Sequence, residues 1–171
     1  MSAKRPFCQC RNCQAQFKGS ADQLGKKTAA SQQQLMQRAI QMYNSLRASP
    51  SNSVTLNNLL LLYLQIGELN QAVSAANEFP DALNASEQCM TTLGRVLMEQ
   101  KQTEAAIKWF DAAIARNPML GEASYCKAVA LMGTNPPDLA GASAAARAAR
   151  AAGLAEAEGL LRELEKRARA V

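Results

Sequence analysis

A fixed spacing of small and large residues constrains this chain more than any other feature. Residues 87–118 read EQCMTTLGRVLMEQKQTEAAIKWFDAAIARNP, with Leu93-Gly94 and Leu97 followed by Ala106, Phe110, Ala113 and Pro118. Gly94 and Ala106 are small enough for two antiparallel helices to approach closely. Phe110 plugs the space beside the next unit, and Pro118 cannot continue a helix. The frame recurs one step of about 34 residues upstream in SNSVTLNNLLLLYLQIGELNQAVSAANEF. There Leu56, Leu59, Leu60 and Tyr63 form a first-helix stripe, Gly67 makes the turn, and Ala72 and Ala76 are the small contacts. The second helix is expected to stop near Phe79, because proline disfavours helix in the residue before it. Downstream, GEASYCKAVALMGTNPPDLAGASAAARAARAAG repeats the frame with Ala128 and Leu131 on its first helix. Asn135-Pro136-Pro137 lengthens its turn by about two residues relative to the 34-residue step. Asp138 is the expected cap of its second helix, where Ala142, Ala146 and Ala149 fall at close-packing spacing.

Both flanks continue the pattern. In QQQLMQRAIQMYNSLRASP, residues 32–50, Ala39, Tyr43, Leu46 and Pro50 mimic a second helix whose first helix is missing. Residues 155–170 form an amphipathic helix with Leu160, Leu161 and Leu164 on one side. Glu156, Glu158, Arg162, Glu163, Lys166 and Arg167 lie on the other. A terminal helix of a repeat array needs such a polar outer face, so this one is expected to cap the stack. Eight helices over residues 31–170 are expected. The composition agrees, with 48% hydrophobic and only 5% aromatic residues. That apolar fraction is dominated by the helix formers Ala and Leu, while β-formers are scarce.

The order Leu-Gly, Ala, Phe, Pro resembles the tetratricopeptide pattern of L-G-x2-Y, A-x3-F and P. Leu97 stands where the pattern has Tyr, and Met90 where it has Trp. The resemblance runs firmly over 50–150 and loosely over 31–170. It implies an all-α, right-handed superhelix of helical hairpins, with about three repeats and a capping helix, in a domain spanning 31–171. It also implies a concave groove lined by the first helices, which holds a peptide or helix of a partner. By register the groove residues are Asn57, Leu61 and Gln65, then Thr91, Arg95 and Met98, then Tyr125 and Val129. Co-chaperones of this family grip a carboxylate with Lys, Asn and Arg. Asn57, Leu61, Thr92 and Tyr125 occupy the corresponding positions, so that clamp is not expected here. Arg95→Glu is expected to weaken partner binding without unfolding the protein. Trp109, beside Phe110, is either a packing residue between helices or an outward-facing contact.

Residues 1–30 differ in character. They hold six basic residues (Lys4, Arg5, Arg11, Lys18, Lys26, Lys27) and one acidic residue, Asp22, which accounts for the whole net charge of +5. Cys8, Cys10 and Cys13 spell C-x-C-x2-C, and a C-x2-C pair of thiolates suits tetrahedral zinc. With Phe17, Lys18 and the Leu24-Gly25-Lys26-Lys27 run, the stretch resembles the first half of a small bacterial zinc ribbon. The second cysteine pair is absent; Thr28-Ala29-Ala30-Ser31 stands in its place. The arm is therefore either poorly ordered or a degenerate ribbon, with Cys8, Cys10 and Cys13 as candidate zinc ligands. Cys89 and Cys126 fall inside helices and read as small buried hydrophobes.

The chain contains no histidine. Ser-His-Asp and Cys-His nucleophile systems are thereby excluded, as are histidine-ligated metal sites. No run of apolar residues is long enough to cross a membrane, and no apolar segment follows the basic N-terminus as a secretion signal requires. Five cysteines at low density point to a reducing compartment, hence the cytoplasm. The expectation is a non-catalytic scaffold, an assembly factor or chaperone-like adaptor, whose partner is another protein and which needs no cofactor. Nucleic acid is not the expected partner, and no feature sets an oligomeric state. The alternative is a metal-responsive or nucleic-acid-associated adaptor that uses the basic cysteine arm.

Overall fold

The computed structural model describes residues 29–169. Among these residues there are nine helices and no strand: α1 (Ala29–Ala48), α2 (Ser53–Ile66), α3 (Leu69–Glu78), α4 (Pro80–Asn84), α5 (Glu87–Glu99), α6 (Thr103–Arg116), α7 (Gly121–Met132), α8 (Leu139–Ala151) and α9 (Glu156–Arg169). The arm assigned to residues 1–30 lies outside this range, except that Ala29 and Ala30 open α1.

The helix ends follow from local chemistry. Asn52 caps α2 by accepting the Thr55 N–H at 3.0 Å. The helix closes on Gly67, which at φ +91° adopts the left-handed conformation that glycine takes without strain. Asp138 caps α8 as its position suggests, accepting the Gly141 N–H at 2.8 Å. The second helix of the first repeat ends at Glu78, one residue short of Phe79. The chain then resumes at once as α4, with Pro80 in its first turn. One expected helix is therefore two. Proline has no N–H to donate and clashes with continued helix behind it, yet suits the first turn of a new one.

The helices pair as hairpins α2/α3–α4, α5/α6 and α7/α8, with α1 before them and α9 after. The first helices α2, α5 and α7 lie side by side. Leu46, Leu56, Leu59, Leu60, Val96 and Phe110 form the interior of the N-terminal two-thirds, all fully buried. Ala128, Ala142, Ala146, Leu161 and Leu164 continue it between α7, α8 and α9. Helix α9 buries Ala157, Leu161 and Leu164 while Arg162, Glu163 and Lys166 stay in solvent. This is the division a terminal cap requires. The result is a TPR-like α-α superhelix.

Close approach inside the second hairpin depends on Gly94. A Cβ placed there would come within 2.5 Å of the Phe110 ring. Trp109 is half-buried and packs against two apolar clusters, one around Phe110 and one around Met90 and Ala113. No helix among the described residues is long and apolar enough to cross a membrane.

Candidate functional site

The three first helices meet around one depression of about 170 Å³. Asn57 and Leu61 of α2 line it on one side, and Gln88, Thr91, Thr92 and Arg95 of α5 form its floor. Leu120 and Glu122, at the start of α7, close the other side. Four of the groove residues expected from register, Asn57, Leu61, Thr91 and Arg95, thus come together in a single site built from all three repeats. The reason is geometric. Asn57 and Thr91 occupy equivalent positions one repeat apart, as do Leu61 and Arg95, so stacking the helices stacks these side chains.

Polar bonds tie the seam across repeats. The Thr92 hydroxyl donates to Oδ1 of Asn57 at 2.7 Å, joining the first repeat to the second. The Arg95 guanidinium donates to Oε1 of Glu122 at 3.4 Å, joining the second to the third. Thr91 turns its hydroxyl back to the Glu87 carbonyl at 2.8 Å, one turn earlier in its own helix. The ion pair is largely withdrawn from water, with 7% of the Arg95 side chain and 25% of the Glu122 side chain exposed. Its chemistry is that of a fixed dipole, a cation and an anion held side by side across two repeats.

The remaining register residues are placed differently. Gln65 is exposed near the end of α2, away from the depression. Tyr125 and Val129 are buried, 3% and 8% exposed, in a cluster with Ala149 and Ala157 against which Met98, Leu154 and Leu160 pack. Leu154, Ala157 and Leu160 belong to α9 and the turn leading into it. The cap that shields the end of the stack therefore also covers the inner side of α7 and withdraws these two residues from a ligand. Arg95 needs a related correction. Arg95→Glu would set two carboxylates against each other in a largely buried position, so loss of stability is expected, contrary to the expectation from sequence.

Gln88, Thr92, Leu120 and Glu122 were not among the residues picked from register. Gln88 and Glu122 stand one 34-residue step apart, so the same periodicity carried the signal. They lie in the first turns of their helices, where side chains read as solvent-facing from sequence.

Cys8, Cys10 and Cys13 lie outside the described residues, so the proposed zinc ligands have no described geometry. Among the described residues no group of three or more acidic or cysteine side chains is arranged to hold a metal. Cys89 and Cys126 are both buried thiols. The Cys89 thiol donates to the Ser53 carbonyl at 3.1 Å, and burial pushes its pKa up to about 11. It is thus neutral and poorly nucleophilic near pH 7.

No protein-family model matches the chain. No curated protein matches it either. Among solved structures, two of MamA, a protein containing tetratricopeptide repeats, are similar. One superposes with a TM-score of 0.61 at 21% identity, over 82% of this chain and 90% of MamA. The other gives 0.62 at 20% identity, over 89% and 85%. At that identity the likeness carries the fold, and the fold is a TPR-like helical superhelix.

Proposed function

We propose that this protein is a non-catalytic scaffold that holds a polypeptide segment of a partner on the inner face of its first helices. One observation carries the reading: residues of three successive repeats converge on one recessed site with both polar and apolar walls. A site spread along a row of parallel helices suits an extended or helical segment laid across them, with side chains dropping into the recess. The absence of histidine supports the non-catalytic part, because the commonest general base is not supplied, and the Cys89 thiol is pushed up by burial rather than activated. Protein rather than nucleic acid fits the helical body. From residue 31 onward basic and acidic residues balance at 13 each (19 less six, 14 less one).

Photo-crosslinking tests the assignment. A photoreactive residue in place of Leu61 should capture a polypeptide that the same residue in place of Lys108, exposed on α6, does not. Equal capture from both positions would place the interaction elsewhere.

A further inference from the structure

We propose that the inner face holds an extended, uncharged segment anchored by two apolar side chains about six residues apart, one against Val54 and one against Met119. This rests on the scaffold reading above and adds the form of the segment and the spacing of its anchors.

The exposed apolar residues carry the argument. Among the described residues the large hydrophobic side chains left exposed are Ile40, Val54 and Met119. Two of these flank the recess. Val54, 70% exposed, lies one turn before Asn57 on α2, and Met119, 68% exposed, directly precedes Leu120. A single exposed apolar residue is ordinary, but these two are held in place from α5. The Cys89 thiol on α5 donates to the Ser53 carbonyl, beside Val54, at 3.1 Å. On the other side the Asn117 amide donates to Oε1 of Glu87 at 3.2 Å, and its Oδ1 accepts the Met119 N–H at 3.1 Å. Each exposed side chain thus stands beside backbone tied to the middle first helix. Two apolar contacts held at a fixed span need little ordering when a ligand arrives.

The span sets the spacing. Neighbouring helices pack ~8–10 Å apart, so two steps from α2 to α7 measure ~16–20 Å. An extended segment rises ~3.3 Å per residue and covers that distance in about five or six residues. Successive side chains alternate faces, so only the even separation turns both anchors toward the protein.

The recess between the anchors favours the extended form. Oδ1 of Asn57 accepts from Thr92, and Oε1 of Gln88 accepts from the Ser86 hydroxyl at 2.8 Å. Each amide is left with its N–H2, a donor. An extended segment offers backbone carbonyls to such donors, whereas a helix spends most of its carbonyls within itself. Charge complementarity points to an uncharged stretch. Helix α2 has no charged residue, and Arg95 and Glu122 are engaged with each other. A charge carried across the recess would lose water with no counter-ion set aside for it.

The test uses uncharged peptides of mixed Ser, Ala and Gln that carry two Leu residues at increasing separations, titrated against the full chain. Affinity should peak at a separation of about six residues. It should stand there roughly tenfold above a peptide with one Leu replaced by Ser, since burying one Leu carries at least that factor. Val54→Ser and Met119→Ser each remove one anchor from an exposed position, where folding is not at stake, and each should abolish the spacing preference. Ile40→Ser, also exposed but on α1, should leave it unchanged. A Glu or Lys midway between the Leu residues should weaken binding; a gain with either sign would overturn the uncharged assignment. A peak at about eleven residues, three turns of helix, would overturn the extended form. Affinity independent of spacing, or a preference that survives Val54→Ser and Met119→Ser, would overturn the anchors and leave the scaffold reading standing. Equal photo-capture at Leu61 and Lys108 would instead sink the scaffold reading and the anchors with it.

Discussion

The first two hairpins share one spacing and fill it in opposite ways. In α2/α3 the first helix brings Leu60 and the second brings Ala76, both fully buried in one cluster. At the equivalent positions one repeat later, α5 brings Gly94 and α6 brings Phe110, whose ring lies where a Cβ on Gly94 would go. The third hairpin takes a small residue on each side, Ala128 and Ala146, within a shared cluster. What the fold preserves is the filled space between the helices of a hairpin. The identity of the large partner is free to change sides, as expected of cores that tolerate volume-conserving exchange.

That comparison can be broken most severely at Phe110. Phe110→Ala leaves a void opposite a residue with no side chain, and a loss of ~3–5 kcal/mol is expected in denaturant titration. Gly94→Leu overfills the same space and should cost ~1–3 kcal/mol or more. The double variant Gly94→Leu with Phe110→Ala gives the second hairpin the arrangement of the first. It should recover a substantial part of the summed loss, whereas strict additivity would show that the two hairpins are not equivalent.

Pro80 supplies a smaller contrast, because Ile114 occupies the equivalent position in α6, which runs unbroken to Arg116. Pro80→Ile should change stability by less than ~1 kcal/mol, the lost rigidity of proline being offset by a new N–H donor. If the break between α3 and α4 belongs to the proline, that N–H will exchange slowly with solvent. Rapid exchange would assign the break to Phe79 and its surroundings.

The smallest effect concerns Cys89, whose counterpart in the first hairpin is Thr55. The folded thiol titrates at about 11 against an ordinary value of 9.0. As pH rises past 9 the unfolded chain loses its proton first, so stability contributed by the neutral thiol is present below pH 9 and fades up to about pH 11. Thermal melts at pH 8 and 10.5 should differ less for Cys89→Ser than for the parent protein.

Much of the architecture was legible because side-chain size at fixed spacing is a property of sequence. Gly67, Gly94, Phe110 and Asp138 each stand where the packing or the cap demands that residue. The extra helix α4 was not legible, since Pro80 marks a stop but does not say whether helix resumes after it. The inner face was half legible. Register brings Asn57, Leu61, Thr91 and Arg95 together, yet it carries no information about which neighbours cover them. Tyr125 and Val129 obey the same register and are buried by α9, a helix from beyond the repeat itself. The pairing of Arg95 with Glu122 was likewise hidden, because it joins residues of different repeats through side-chain reach rather than helical phase.

Helix α1 packs chiefly on α2, with Tyr43 reaching Glu78 and the edge of the Phe79 ring at 5.7 Å between centroids. In a linear array each unit is stabilised by its neighbours on either side, and a unit with one main neighbour opens first. Among the described residues, unravelling should accordingly begin at the outer helices α1 and α9 and travel inward, so that amide exchange rates fall from Leu35 toward Val96. Among the described residues the array would then open like a zipper, its middle repeat last.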